Sequence, residues 1–480
     1  MMMLKKCSKW VSSDLDWKLL LWILPPLSLL FYISLSSISA IARSSFTFNP
    51  FSTFAPLKSV FNNNAPVPPP PPPSPRSDSF LPTVFANELN RSNIFPADFA
   101  NQSEMKTQLD RSRNDEPLFP PVFLNQSVTK DELDRSRIAV CIVGGARRFE
   151  LTGPSIIEKI LKEYPNSDLY LHSPLDTNAY KLSLLKAAPR VSAIKIFKPK
   201  PIKMTEFQVR VLSASGSPNG IQGLLQYFNL VEGCLTMIRA YQHKNNFTYD
   251  WIIRTRVDGY WNGPLSPKDF IPGAYLVPPG SSYGGLNDRF GLGDYNTSVV
   301  ALSRLSLIPE LDSAGYHLLN SEGAFKAQLT IHRVPYITKR LPFCIVSDRS
   351  YEFPPPHFGV PVAALSSPGP LSGAKCRPCT PSCTDHCVGL VMSKLYKGWS
   401  WTYWANNTLQ LCDAHAEWES GWQKIFDKVA GNKLAAARQR IEDLRMEQCV
   451  KDFTEIMKKT AHWEAPPVSQ ICRLGLSTPA

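Results

Sequence analysis

The stretch Tyr249-Asp250-Trp251-Ile252-Ile253-Arg254-Thr255-Arg256-Val257-Asp258-Gly259-Tyr260-Trp261 decides how this chain is read. Trp251, Ile252 and Ile253 drive a short buried strand, Arg254, Arg256 and Asp258 alternate at period two, and Gly259 marks where the strand should break. The alternation predicts three charged groups on one strand face, directed at whatever lies beyond its carboxyl end. In open α/β sheets that end is where ligands bind, and one carboxylate beside two guanidiniums suits a divalent metal carrying a phosphorylated ligand. The plain alternative is a structural Arg–Asp pair that caps the strand.

Upstream of this strand, a helix is expected over Gly223 to His243, where Leu224, Leu225, Phe228, Val231, Leu235, Ile238 and Tyr241 recur at three- and four-residue steps. Earlier still, Ile138-Ala139-Val140-Cys141-Ile142-Val143 reads as an apolar strand running into Gly144-Gly145-Ala146-Arg147-Arg148. A strand, a glycine pair and then basic residues look like the first turn of a nucleotide-binding α/β domain, although paired glycines turn many strands. Strands are also expected at Asp168 to His172 and Val191 to Phe197, with a helix over Ser155 to Glu163. Alternating strands and helices predict an α/β fold with a mainly parallel sheet.

Downstream, Ala274 to Val277 reads as a strand and Gly280 to Gly285 as a loop, while Leu286 to Asp294 places Asp288 and Asp294 among glycines, as an Asp/Gly turn would. A helix is expected to open at Ser321-Glu322, and His332 to Ile345 looks strand-like. Four cysteines crowd into Cys376, Cys379, Cys383 and Cys387, and Ala414 to Thr460 is charged and helix-forming, with Ile441, Leu444, Val450, Phe453 and Ile456 on one face.

The N-terminal part holds little core. An uncharged apolar run from Leu19 to Ala42 follows Lys5, Lys6, Lys9 and Lys18. It is long enough to span a bilayer, and the lysines place the N-terminus in the cytosol and the remainder in the secretory lumen. A cleaved signal peptide, ending near Ser37-Ile38-Ser39-Ala40, gives the same compartment. From Arg43 to about Arg137 the chain is rich in Ser, Asn and Pro, with Pro68 to Pro73 continuous, as in an extended stem. The domains expected are therefore a cytosolic tail 1–18, a signal anchor 19–42, a stem 43–136, an α/β domain 137–360 and a cysteine-rich, helical C-terminal extension 361–480.

Ten cysteines follow the apolar run, and six Asn-x-Ser/Thr acceptors begin at Asn90, Asn101, Asn125, Asn246, Asn296 and Asn406. In an oxidising lumen the cysteines allow up to five disulfides of undetermined connectivity, and disulfides are expected over zinc for the crowded four. The formal net charge of +12 favours an anionic ligand or surface. No basic run or aromatic–basic interleaving of the RNA-binding kind is present, so nucleic acid is not an expected partner. P-loop, nucleophile-elbow and His-Glu-x-x-His motifs are absent from the sequence, which argues against kinase and hydrolase chemistry.

Ile138 to Arg148, Asp250 to Asp258, Asn287 to Gly293 and Ser321-Glu322-Gly323 together resemble a nucleotide-sugar glycosyltransferase with a GT-A-like fold. More closely, the region from Arg137 to near Glu352 is similar to an uncharacterised plant family of Golgi-type, single-pass type II membrane proteins that resemble WavE-type lipopolysaccharide-synthesis transferases. The resemblance implies a sugar moved from a nucleotide-sugar donor to a glycan or glycoprotein acceptor, in the Golgi lumen. In such enzymes an Asp-x-Asp motif holds Mn²⁺ or Mg²⁺ on the donor diphosphate. Here Arg256-Val257-Asp258 supplies only the last carboxylate. Either Asp258 binds the metal with the diphosphate and waters, or Arg254 and Arg256 neutralise the diphosphate without one. The resemblance makes Glu322 the first candidate for the base that takes the acceptor proton, and Asp288 the second. Arg147 and Arg148 are candidates for the donor phosphates. The bland readings are a favourable first-turn charge for Glu322 and solvated surface for the two arginines. A second function class is a non-catalytic secretory or cell-wall-associated glycoprotein with a degenerate sugar-binding core.

Overall fold

Strand β1 (Ile138–Val143) is buried along its whole length, as an unbroken apolar run requires of a strand covered on both faces. The computed structural model, which describes residues 128–351, 353, 360–393 and 408–476, shows what covers it. Ile138, Val140 and Ile142 enter one core with Phe149, Ile156 and the distant Phe453 and Ile456. Ala139, Cys141 and Val143 enter another, with Cys234, Leu235 and Ile238 of the helix Gly220–Asn245. A Cys141–Cys234 disulfide staples that helix to β1. Each large aliphatic side chain buried this way contributes about 1.5–3 kcal/mol.

Along the chain follow β2 (Ser167–Pro174), β3 (Val191–Phe197), β4 (Trp251–Arg256), β5 (Gly259–Trp261), β6 (Tyr275–Val277), β7 (Phe290–Asp294), β8 (Tyr336–Thr338), β9 (Phe343–Val346), β10 (Ala363–Ala364), β11 (Ala374–Arg377) and β12 (His462–Glu464). An eight-stranded sheet runs β12-β3-β2-β1-β4-β7-β6-β8, and a four-stranded sheet runs β10-β11-β9-β5. Neighbours from β12 to β4 are parallel, while β7 lies antiparallel to both β4 and β6. The fold is therefore α/β with a mainly parallel, mixed sheet. From β1 the chain winds to one side for β2 and β3, then returns to the other side for β4. The gap beyond the carboxyl ends of β1 and β4 is the point where strand order reverses, and there ligands of open α/β sheets bind.

Several expectations change. Gly259 does not end an isolated strand: β4 stops at Arg256, Val257 and Asp258 turn the chain, and Gly259 starts β5 in the smaller sheet. Residues 290–294 form β7 where a turn was expected, because Gly291 and Gly293 lie flat against Tyr275 of β6. The His332 to Ile345 region divides into β8 and β9, one in each sheet. The helix expected at Ser155 starts earlier, at Phe149, and closes in a π-helical turn over Ile157–Leu161.

Residues after 360 complete both sheets. β10 and β11 join β9 in the smaller sheet, and β12 extends the larger one beside β3. Helices Trp422–Ala430, Asn432–Glu442 and Met446–Lys459 bring Phe426, Ile441, Phe453 and Ile456 into the cores. All ten cysteines among the described residues are bridged: besides Cys141–Cys234, the pairs are Cys344–Cys376, Cys379–Cys412, Cys383–Cys387 and Cys449–Cys472. Of the crowded four, Cys383 and Cys387 pair together while Cys376 and Cys379 reach outward. Among the described residues no helix is long and apolar enough to cross a membrane. The Leu19 to Ala42 run and the stem up to residue 127 lie outside them, while the last part of the expected stem is folded: Lys130–Arg135 is a helix that buries Leu133 in the core beside β1.

Candidate active site

The turns after β1 and β4 are tied to each other. Gly144 takes a φ of +121°, which favours glycine, and its carbonyl accepts from Ser173 Oγ at 2.9 Å. Val257 N donates to Val143 O at 2.9 Å, and Thr152 Oγ1 donates to Val257 O at 2.6 Å. A cleft of about 340 Å³ opens there, lined by Arg147, Arg148, Arg256, Asp258, Asp288 and Glu322, together with Tyr227, Arg289, Arg349 and Lys375. Six residues nominated from sequence thus meet in one hollow.

Asp258 and Arg256 are paired fork to fork. Arg256 Nε and Nη2 donate to Oδ1 and Oδ2, each at 2.8 Å. Burial alone would push the Asp258 carboxyl up, but Arg256, with Lys375 and Arg147 further off, holds it down at about 2. Val346 N donates to the Asp258 carbonyl at 2.9 Å, fixing the turn to β9. The pair both caps β4 and faces the cleft, so the two readings of this motif meet in one geometry.

Glu322 sits in the first turn of the helix Ser321–Ile331, but it does not cap that helix. Asn320 does so, with Oδ1 accepting from Gly323 N at 2.7 Å, and its Nδ2 donates to Tyr283 O at 2.9 Å. The loop before β7 closes on the same turn: Leu286 N donates to Glu322 O at 3.1 Å, and Gly285 lies so close that an added Cβ would stand 1.9 Å from that oxygen. A helix N-terminus favours an ionised carboxylate. Burial and the neighbouring Asp288 charge outweigh it and raise Glu322 to about 8. Asp288 goes the other way. Its burial is outweighed by Arg304 and Arg254, and by the Ser321 hydroxyl that donates to Oδ2. Of the two carboxyls, Glu322 carries the proton and Asp288 the charge.

The basic candidates divide. Arg147 is exposed at the rim. Arg148 is held by Asp348 and by the Trp418 ring, 4.0 Å from its guanidinium, which is a structural clamp more than a free ligand group. Arg254 does not open into the cleft as the period-two pattern predicted. It is buried beneath, donating to Tyr227 Oη at 3.2 Å and to the Asp288 carbonyl. Asp294 is structural too, since its Oδ1 caps the helix Tyr295–Leu302 by accepting from Thr297 N at 2.9 Å.

Sequence reading missed Arg289, Arg349, Tyr227 and Lys375. Arg289 stood inside a quoted segment, next to Asp288, and its Nη1 donates to Gly373 O at 2.7 Å. Lys375 lies beyond the expected domain edge, next to a cysteine, where nothing in its neighbours signals a site. It arrives by strand pairing: Lys375 is level with Ile345, and Ile345 with Gly259, which follows Asp258.

The donor set does not fit Mn²⁺ or Mg²⁺. Both Asp258 oxygens are taken by Arg256, Asp288 is held by Ser321 and Arg304, and Glu322 is protonated near neutrality. Among the described residues no group of three His, Cys, Asp or Glu could hold a metal ion. His172 Nδ1 donates to Leu230 O at 2.9 Å and His332 pairs with Glu310, while His357 lies outside the described residues. A larger hollow of about 770 Å³ follows the long helix beside β3 and β12, yet none of the nominated charged residues lines it.

Residues 133–478 match the family described as Domain of unknown function (DUF7796). No curated protein matches the chain.

Proposed function

We propose that this chain, which belongs to the DUF7796 family, is a glycosyltransferase that moves a sugar from a nucleotide-sugar donor to a glycan or glycoprotein acceptor. One observation carries the reading: cations and a proton-holding carboxyl face each other across a single cleft at the β1/β4 reversal. The run of parallel strands β3-β2-β1-β4, followed by antiparallel β7, supports a GT-A-like core. Five disulfides support a secretory compartment, in keeping with a type II Golgi protein whose anchor is the Leu19 to Ala42 run.

In the reaction the bond from the anomeric carbon to the diphosphate oxygen breaks and a bond to the acceptor oxygen forms. Negative charge grows on the departing diphosphate, and Arg256 and Arg289 stand where they oppose it. The acceptor hydroxyl loses its proton to Glu322, whose raised pKa makes it a stronger base than an exposed glutamate once ionised. Asp288, kept charged by Arg304, holds that pKa up and acts through Glu322.

A second reading, a non-catalytic secretory or cell-wall-associated glycoprotein with a degenerate sugar-binding core, is favoured by the closed Arg256–Asp258 pair. Purified full-length protein titrated with a panel of nucleotide sugars separates the two. Turnover of any donor to nucleoside diphosphate, lost in Glu322→Gln, supports transfer. Binding without turnover supports the second reading, and neither binding nor turnover rejects the nucleotide-sugar reading.

A further inference from the structure

We propose that Lys375, carried in by the C-terminal region, takes the place of a divalent cation in this cleft and holds the donor's diphosphate together with Arg256 and Arg289. The inference rests on the nucleotide-sugar reading above and adds to it the anion-binding group and its independence of metal.

Arg256 is matched by Asp258, Arg289 by the Gly373 carbonyl and Arg148 by Asp348. Among the described residues the Lys375 ammonium has neither a hydrogen-bond acceptor nor a carboxylate within ion-pair distance. Taking a cation out of water without a partner costs several kcal/mol, so a partly buried, unmatched ammonium needs a reason. The bland reason is a lysine whose stem covers apolar surface while its head escapes to solvent. The surroundings oppose it, since the head faces a cleft that also holds Arg256, Arg289 and Arg349. Burial and these like charges press Lys375 well below the usual lysine range. An anion in the cleft removes both penalties, and a diphosphate has enough oxygens to meet a point-like ammonium and two guanidiniums at once.

The backbone holds Lys375 firmly in place. Strand β11 is parallel to β9, and the Cys344–Cys376 disulfide fastens the two strands next to Lys375. Strand β9 is in turn paired with β5, immediately after Asp258. The cysteine-rich region thus supplies a ligand group to a site whose other phosphate-facing cations, Arg256 and Arg289, stand 119 and 86 residues earlier in sequence.

The test is calorimetric titration of the full-length protein with inorganic pyrophosphate, UDP and GDP, in excess EDTA and again with Mn²⁺. The expected result is binding of pyrophosphate and of at least one nucleotide in EDTA, with affinity changed by less than about threefold by Mn²⁺. Lys375→Met and Lys375→Gln are expected to weaken binding about tenfold or more, and Lys375→Arg to recover most of it. Binding that needs Mn²⁺, or that is unchanged in the folded Met and Gln variants, overturns the role of Lys375 and leaves glycosyl transfer standing. No binding of any probe in either condition overturns both.

Discussion

Replacing Glu322 by Gln should make this protein more stable at neutral pH, and by an amount that depends on pH. The carboxyl's ordinary value is near 4.5, and burial together with Asp288 lifts it to about 8 in the folded chain. A group whose folded pKa is raised loses stability as pH climbs from the unfolded value to the folded one, because the unfolded chain ionises first. Each pKa unit is worth about 1.4 kcal/mol, so at pH 7 the native state is penalised by up to about 3 kcal/mol relative to acid conditions. The penalty levels off above pH 8. Glutamine keeps the shape and never ionises, so Glu322→Gln removes this slope. Denaturant unfolding of both proteins near pH 5, 7 and 8.5 reads the effect directly: little difference at the acid end, then a gap that widens in favour of the variant. A gap independent of pH, or one that favours the wild type at every pH, would refute the assignment of the proton to Glu322. The same titration should govern turnover, with the wild-type rate rising through an inflection near pH 8 and the variant binding nucleotide without transfer.

Asp258→Asn should act in the opposite sense. The folded carboxyl, at about 2, lies below its ordinary 3.8, so its contribution is present above that ordinary value and fades as pH falls towards 2. With both side chains partly exposed, the expected loss at pH 7 is about 1–2 kcal/mol in denaturant unfolding, and the difference from wild type should shrink near pH 3. Gly285→Ala places a Cβ 1.9 Å from the Glu322 carbonyl, so it should lower stability by about 1–3 kcal/mol and disturb the Glu322 turn. A thermal midpoint and turnover both equal to wild type would show that the loop moves aside freely. Asn246 and Asn296 are exposed acceptors, so protein made in plant cells should shift in mobility on endoglycosidase treatment, and protein bearing no glycan at any acceptor would count against lumenal topology.

Local pattern in this chain revealed the elements whose stability is local or whose burial is two-sided. The all-apolar run at Ile138–Val143, the three- and four-residue steps of the long helix and the Ser321 helix start each leave a periodic trace that tertiary contacts then use. The carboxylates and arginines at the ends of those elements were legible for the same reason. Arg254 was misjudged because alternation gives the face of a strand and not the depth of its neighbours. Beside it, Tyr227 and the Asp288 carbonyl close over the guanidinium. The proton on Glu322 and the charge on Asp288 depend on desolvation and on Arg304, which reach the site from separate helices and loops. Lys375 had no trace at all. Its place beside Asp258 is set by β11 pairing with β9 and β9 with β5, and such long-range register is decided by which strands bury together, a property of the whole folded chain and not of any window of its sequence.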